Sequence, residues 1–137
     1  MADTIRKVNY YYTTIPDKPG EGSRLLDVLR SAGVNLLALH AFPSARKSQV
    51  DFVPADAASF TTVAKGAKIK LSTAKTAFLI DGDDRVGALS GAIGRLSAAK
   101  INVTAVTGVS AGMGRYGAIL WVKPRDVNKA AAALGAM

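Results

Sequence analysis

The sequence contains no cysteine and a single histidine in 137 residues. Without cysteine there is no disulfide, no thiol nucleophile and no thiolate metal ligand, and a reducing cytoplasm is permitted. With His40 alone, no multi-histidine metal site can form within one chain. A Ser-His-Asp set would have to use His40, and no nucleophile elbow is present. His40 lies inside a strand-like run, so a core or interface role is expected for it. Long hydrophobic runs are also missing: none approaches the roughly 20 residues that span a bilayer. The opening MADTIRKVNYYY has no apolar signal core. A cytoplasmic chain without membrane association is therefore expected.

Acidic residues are scarce as well. Eighteen Lys and Arg face ten Asp and Glu, a net charge of +8. Such a charge favours acidic partners, anionic metabolites and nucleic acid among them. The basic residues are scattered, however, with an excess of five over residues 1–75 and of three over 76–137, so neither half is a basic tail. Lys65, Lys68, Lys70 and Lys75 read as a solvated junction. Tyr10, Tyr11 and Tyr12 are consecutive, so on a strand they point to alternate faces and do not make one stacking platform. Nucleic-acid contact is thus the weaker expectation. With 49% apolar and 20% charged residues, the composition is that of a globular protein.

What the sequence does contain is a repeat. PDKPGEGSRLLDVLRSAGVNLLAL and DDRVGALSGAIGRLSAAKINVTAV align at an offset of 67. Asp17 then falls on Asp84, Lys18 on Arg85, Gly20 on Gly87, Ser23 on Ser90, Leu29 on Leu96 and Asn35 on Asn102. After a loop three residues longer in the second copy, Pro54 falls on Pro124 and Asp56 on Asp126.

Each copy carries the same order of elements. Residues 8–15 and 76–80 are rich in β-branched and aromatic residues and read as strands. Residues 21–32 and 86–99 have apolar residues at helical spacing, and Gly33 stands where a helix C-terminal cap would. Residues 34–42 and 101–109 read as strands. So do 48–54 and 116–124, each ending at a proline. Second helices follow over 55–65 and 125–134, with Asp56 and Asp126 at their starts. A short strand, KIKLS (68–72), closes the first copy. This is α+β, strand-helix-strand-strand-helix-strand, the ferredoxin-like order with antiparallel sheets. The expected repeats are 1–72 and 73–137. The second lacks an evident final strand, and the long N-terminal strand of this chain, or of a partner chain, is the candidate to cover that edge. Copies this small bury little apolar surface alone, so they should dock, and a homodimer is expected.

Other motifs weigh against catalysis. Asp81, Asp83 and Asp84 form a carboxylate cluster that reads as a solvated strand-to-helix loop with a capping residue. GMGRYG (112–117) fits G-x-G-x-x-G, but a strand follows it where a dinucleotide fold needs a helix. It reads as a glycine-rich hairpin. PDKPGEGS lacks the spacing of a phosphate-binding P-loop. No cofactor, metal or catalytic residue is expected.

The two segments DKPGEGSRLLDVLRSAGVNLLAL and DDRVGALSGAIGRLSAAKINVTAV resemble the ACT domain, a regulatory module named for aspartate kinase, chorismate mutase and prephenate dehydrogenase. The resemblance covers almost the whole chain, twice, and implies a stand-alone tandem protein. It implies binding of a small effector, most often an amino acid, at an interface between ACT copies, with a metabolic enzyme regulated in trans as a further expectation. The residues that carry the motif are Asp17, Pro19, Gly20, Gly22, Ser23 and Asn35 in the first copy, and Asp84, Gly87, Ser90 and Asn102 in the second. Amides after Pro19 can meet a carboxylate at a helix N-terminus, and Asp17 or Asp84 can pair with an ammonium. The same residues also suit a structural reading, as Asx-turn, tight turn and cap. The second copy has Val86 where the first has Pro19, which loses a rigid φ, so the first copy is expected to hold the better-formed site. An interaction subunit without its own ligand, or a basic nucleic-acid-contacting regulator, are the alternatives.

Overall fold

The first strand runs well beyond the tyrosine-rich stretch that suggests it. In the computed structural model, which describes residues 3–137, β1 covers Thr4–Pro16. It is followed by α1 (Glu21–Ser31), β2 (Leu36–Ser44), β3 (Lys47–Pro54) and α2 (Ala57–Gly66). The same order then repeats: β4 (Lys75–Asp83), α3 (Ser90–Ala98), β5 (Val103–Gly112), β6 (Arg115–Val122) and α4 (Val127–Leu134). Among the described residues the fold is α+β with six strands and four α-helices, and the β1–β3, β2–β3, β4–β6 and β5–β6 pairings are antiparallel.

Two compact units divide the chain. One comprises Asn9–Lys75; the other comprises Thr76–Met137 together with the chain's start through Val8. In the first unit, β3 lies between β2 and the later part of β1. Its core joins Leu25 and Leu29 of α1 to Tyr11, Val50, Phe52 and Phe60. The Phe60 ring sits 5.4 Å from Tyr11 and 5.3 Å from Phe52, at the tilted angles aromatic rings prefer. Asp56 caps α2 through the Ala58 amide, 3.1 Å away.

In the second unit, β6 lies between β4 and β5. Phe78, Ile80, Leu96, Leu120, Ala130 and Leu134 fill its core, and Ile5 joins them. The beginning of β1 thus serves this unit: β1 neighbours β4, and it bonds to the last residue of the chain, Lys7 N–H to Met137 O (3.1 Å) and Met137 N–H to Ile5 O (3.0 Å). The strand absent from the end of the second repeat is replaced from the start of the same chain.

Three local readings change. KIKLS is not a strand: Lys68 has φ +60° as α2 closes, and the segment holds β1 through Ser72 N–H to Tyr12 O (2.8 Å) and Tyr12 N–H to Ser72 Oγ (3.0 Å). The helix expected from residue 86 begins at Ser90, because residues 86–89 form turns closed by Ala88 N–H to Arg85 O and Ser90 N–H to Gly87 O. The three extra residues of the second copy are not one longer loop. Both hairpins turn over two residues with positive φ, Ala45–Arg46 and Met113–Gly114, as type I′ turns require. One extra residue sits in a β5 irregularity between Ser110 and Gly112, and two sit before α4, where Pro124–Asp126 makes a 3-10 turn. GMGRYG is a hairpin, as its flanking strands predict.

Candidate functional site

The loop between β1 and α1 is built by its local chemistry. Gly20 precedes α1 with φ +93°, a conformation that a side chain would strain. Lys18 N–H bonds to Pro16 O (3.1 Å) and Glu21 N–H to Lys18 O (3.4 Å). No side chain caps α1, and among the described residues no backbone acceptor meets the amides of Gly22 and Ser23. Asp17 accepts a hydrogen bond from Ser48 Oγ at 3.2 Å, which fixes its carboxylate over the start of β3. Glu21 draws Lys18 (3.8 Å) and Arg24 (3.4 Å) to the same helix end.

Beneath this loop lies a cavity of about 200 Å³, lined by Ile15, Pro16, Asp17, Lys18, Gly22, Leu25, Leu26, Leu39, Ala41, Ser48 and Val50. All belong to the first unit. Its rim carries Asp17, Lys18 and Ser48; its walls are aliphatic. Leu26 and Leu39 are 37% and 46% exposed, so apolar surface faces solvent there. Small ligands favour such a combination of apolar wall and few polar groups.

The second unit carries side chains of different size at the corresponding positions. At the offset of 67, Leu89 stands for Gly22, Gly108 for Ala41 and Gly82 for Ile15. In the hairpin, Ser48 pairs with Pro43 and Tyr116 with Ser110, the counterpart of Pro43, so Tyr116 stands for Ser48. Two small residues of the first unit are thus large in the second, and two larger ones are glycine. The exchange is complementary: a Cβ at Gly108 would lie 2.8 Å from Leu89 Cδ1, and one at Gly82 would lie 3.2 Å from the Tyr116 ring and collide with the Asp3 carboxylate. Asp3 is held by Arg85 through a two-pronged ion pair of 3.0 and 3.3 Å. The Arg85 hydrogen bond lowers the pKa of Asp3. Burial, and then the Asp3 carboxylate, push the Tyr116 hydroxyl up to about 12.

The motif residues divide by location. Asp17 and Gly22 line the cavity, and Pro19, Gly20 and Ser23 complete the adjoining turn and first helical turn. The Ser23 position faces a shallow surface with Arg24, Asp27 and Val28. Asn35 is elsewhere: it lies past the C-terminus of α1 in an open depression with Gly33 and Arg30, and its carbonyl accepts from Ala55 N–H at 2.9 Å. In the second unit, Asp84 accepts from Ser110 Oγ (3.1 Å) and donates its own N–H to Gly114 O (2.8 Å). Gly87 lies in the turn before α3, which Ser90 begins, and Asn102 sits beyond the far end with Ser97 and Lys100. The hairpin walls Leu39, Ala41, Ser48 and Val50 are absent from the motif. The Gly22-to-Leu89 difference is the sequence signal that leads to them.

Other charged groups have structural partners. Arg115 on β6 clamps Asp81 (3.1 Å) and Asp83 (2.9 Å). His40 stands opposite Asp51 in the register of β2 and β3, and its ring lies 5.2 Å from Phe42. Asp51 accepts from Gln49 Nε2 at 3.0 Å, and burial raises its pKa.

No family model and no curated protein matches the chain. Solved structures do. A Bacteroides thetaiotaomicron protein, BT0572, is 16% identical with a TM-score of 0.80, over 97% of this chain and 88% of that one. The regulatory subunit of aspartate kinase from Thermus thermophilus is 12% identical with a TM-score of 0.65, over 98% and 96%. A structure of aspartokinase alpha and beta subunits is 14% identical with a TM-score of 0.62, over 98% and 95%. At such identities the likeness is one of fold, and the fold of this chain is the α+β, ACT-like fold that the aspartate kinase regulatory subunit also has.

Proposed function

We propose that this chain is a non-catalytic regulatory protein of two ACT repeats that binds a small effector, an amino acid, at the β1–α1 loop of its first repeat. One observation carries the reading: an open cavity with aliphatic walls lies beside a fixed carboxylate, Asp17, and the uncapped start of α1. The ammonium pairs with Asp17, and the carboxylate meets the amides of Gly22 and Ser23 at the positive end of the helix. The shared fold with a protein named as a regulatory subunit supports a regulatory role. Regulation then needs a partner, an enzyme acted on in trans, whose affinity differs between the free and bound states.

Calorimetric titration with the protein amino acids tests this, and one site per chain is expected. No heat and no thermal shift at millimolar ligand would sink the proposal. Asp17→Asn should weaken binding roughly tenfold or more, the loss of one charge-assisted hydrogen bond, with the melting temperature little changed. A second reading is favoured by exposed apolar residues on the outer strands, Leu37 and Phe42 on β2 and Val106 and Val109 on β5. They suit a homodimer or a protein partner without any ligand; sedimentation of the apo protein and co-purification of a partner separate these outcomes.

A further inference from the structure

We infer that the effector has an aliphatic side chain of valine-to-leucine size, and that Gly22 is the residue that admits it. This rests on the ligand site proposed above. The rim of the cavity offers charge and a hydroxyl, enough for an α-amino acid's two ionic groups. The walls behind it, Leu25, Leu26, Leu39, Ala41 and Val50, offer no polar side-chain atom. A polar or charged ligand side chain there would lose its hydration without gaining a partner. At about 200 Å³ the space is below the roughly 300–1,000 Å³ of sites for larger ligands.

The second unit shows independently what fits. It seats Leu89, from the position of Gly22, against Gly108, the position of Ala41. There a half-buried leucine side chain of the protein itself packs over an exposed glycine of β5. In the first unit Gly22 lines the cavity and brings no side chain to it. Gly22 is also free to gain one: a Cβ there meets nothing within 4 Å. Its glycine is therefore not required by the backbone, and the vacancy is available to a ligand.

The test is a calorimetric comparison of valine, leucine and isoleucine with alanine, serine, lysine and phenylalanine. Each buried methylene strengthens binding about fourfold, so the aliphatic three should bind at least about tenfold more tightly than alanine. If serine, lysine or phenylalanine binds as tightly as they do, the aliphatic assignment is overturned while the amino-acid site stands. If no amino acid binds, both fail. Gly22→Leu should abolish binding with an unchanged circular dichroism spectrum and an equal or higher melting temperature; retained affinity would remove Gly22 from its role. Should that variant misfold, Ala41→Leu closes the same space from β2, and the same loss is expected.

Discussion

At the scale of the residue, the two units expose each other's compromises. Helix α1 ends in a Schellman arrangement: Gly33, at φ +75°, sends its N–H to Arg30 O, and Val34 N–H reaches Leu29 O. Helix α3 ends the same way, with Lys100 N–H to Ser97 O and Ile101 N–H to Leu96 O, but Lys100 holds φ +60°. A side chain in that region costs roughly 1–2 kcal/mol, part of which glycine gives back as unfolded-state entropy. Lys100→Gly should therefore raise stability by up to about 1 kcal/mol, read as a higher urea midpoint at unchanged slope. A lower midpoint would mean that the lysine side chain contributes more than its backbone strain costs. The Gly33 cap was legible in sequence because glycine announces the left-handed turn. The Lys100 cap was not, because nothing in a lysine marks one.

At the scale of the element, the second unit's β4, β5, β6 and the turn before α3 carry side chains that are large on one element where they are small on its neighbour. Leu89 and Tyr116 are large where Gly82 and Gly108 are small. Gly108→Val should crowd Leu89, whose side-chain end can swing away at this exposed position, and cost at most about 1 kcal/mol. Leu89→Ala alone should cost about 1–2 kcal/mol, less than a fully buried leucine, since Leu89 is half-buried. Combined, the two should cost less than their sum, because the alanine makes room for the valine. Strict additivity in chemical denaturation would refute the contact. The sequence repeat pointed to Asp17, Gly20 and Gly22 but not to Ser48, Leu39 or Val50. Those residues reach the cavity through the register of β2 on β3, and a one-residue slip would turn them to the other face.

At the scale of the whole chain, the start of β1 completes the second unit, and its chemistry sets a pH limit. Asp3, paired with Arg85, has a lowered pKa. Its contribution is present above the ordinary carboxylate range and is lost as pH falls through the folded value. Tyr116 has the opposite sign: its pKa rises to about 12. Its contribution is complete below the unfolded value of 10.0 and is lost as pH climbs toward the folded value. Ultraviolet titration of the four tyrosines should show one that ionises near pH 12, and Tyr116→Phe should remove it along with part of the alkaline destabilisation. Four ordinary transitions would contradict the burial of this ring.

The sequence by itself determined the two-fold repetition and the order of elements, apart from the strand expected at KIKLS. Those follow from periodicity and from Asp, Gly and Asn at fixed spacing, which are local properties. It also pointed to the long first strand as the cover for the second unit's open edge. Only the tertiary structure decided that this strand's beginning pairs within the second unit, that Asn35 stays apart from Asp17, and that the first loop overlies an open cavity while Leu89 of its sister packs against Gly108. Those outcomes depend on hairpin register and side-chain volume across elements distant in the chain. Gly22 and Leu89 differ by one side chain in the alignment, and only their neighbours Ala41 and Gly108 turn that difference into an open cavity in one unit and a side-chain contact over a glycine in the other.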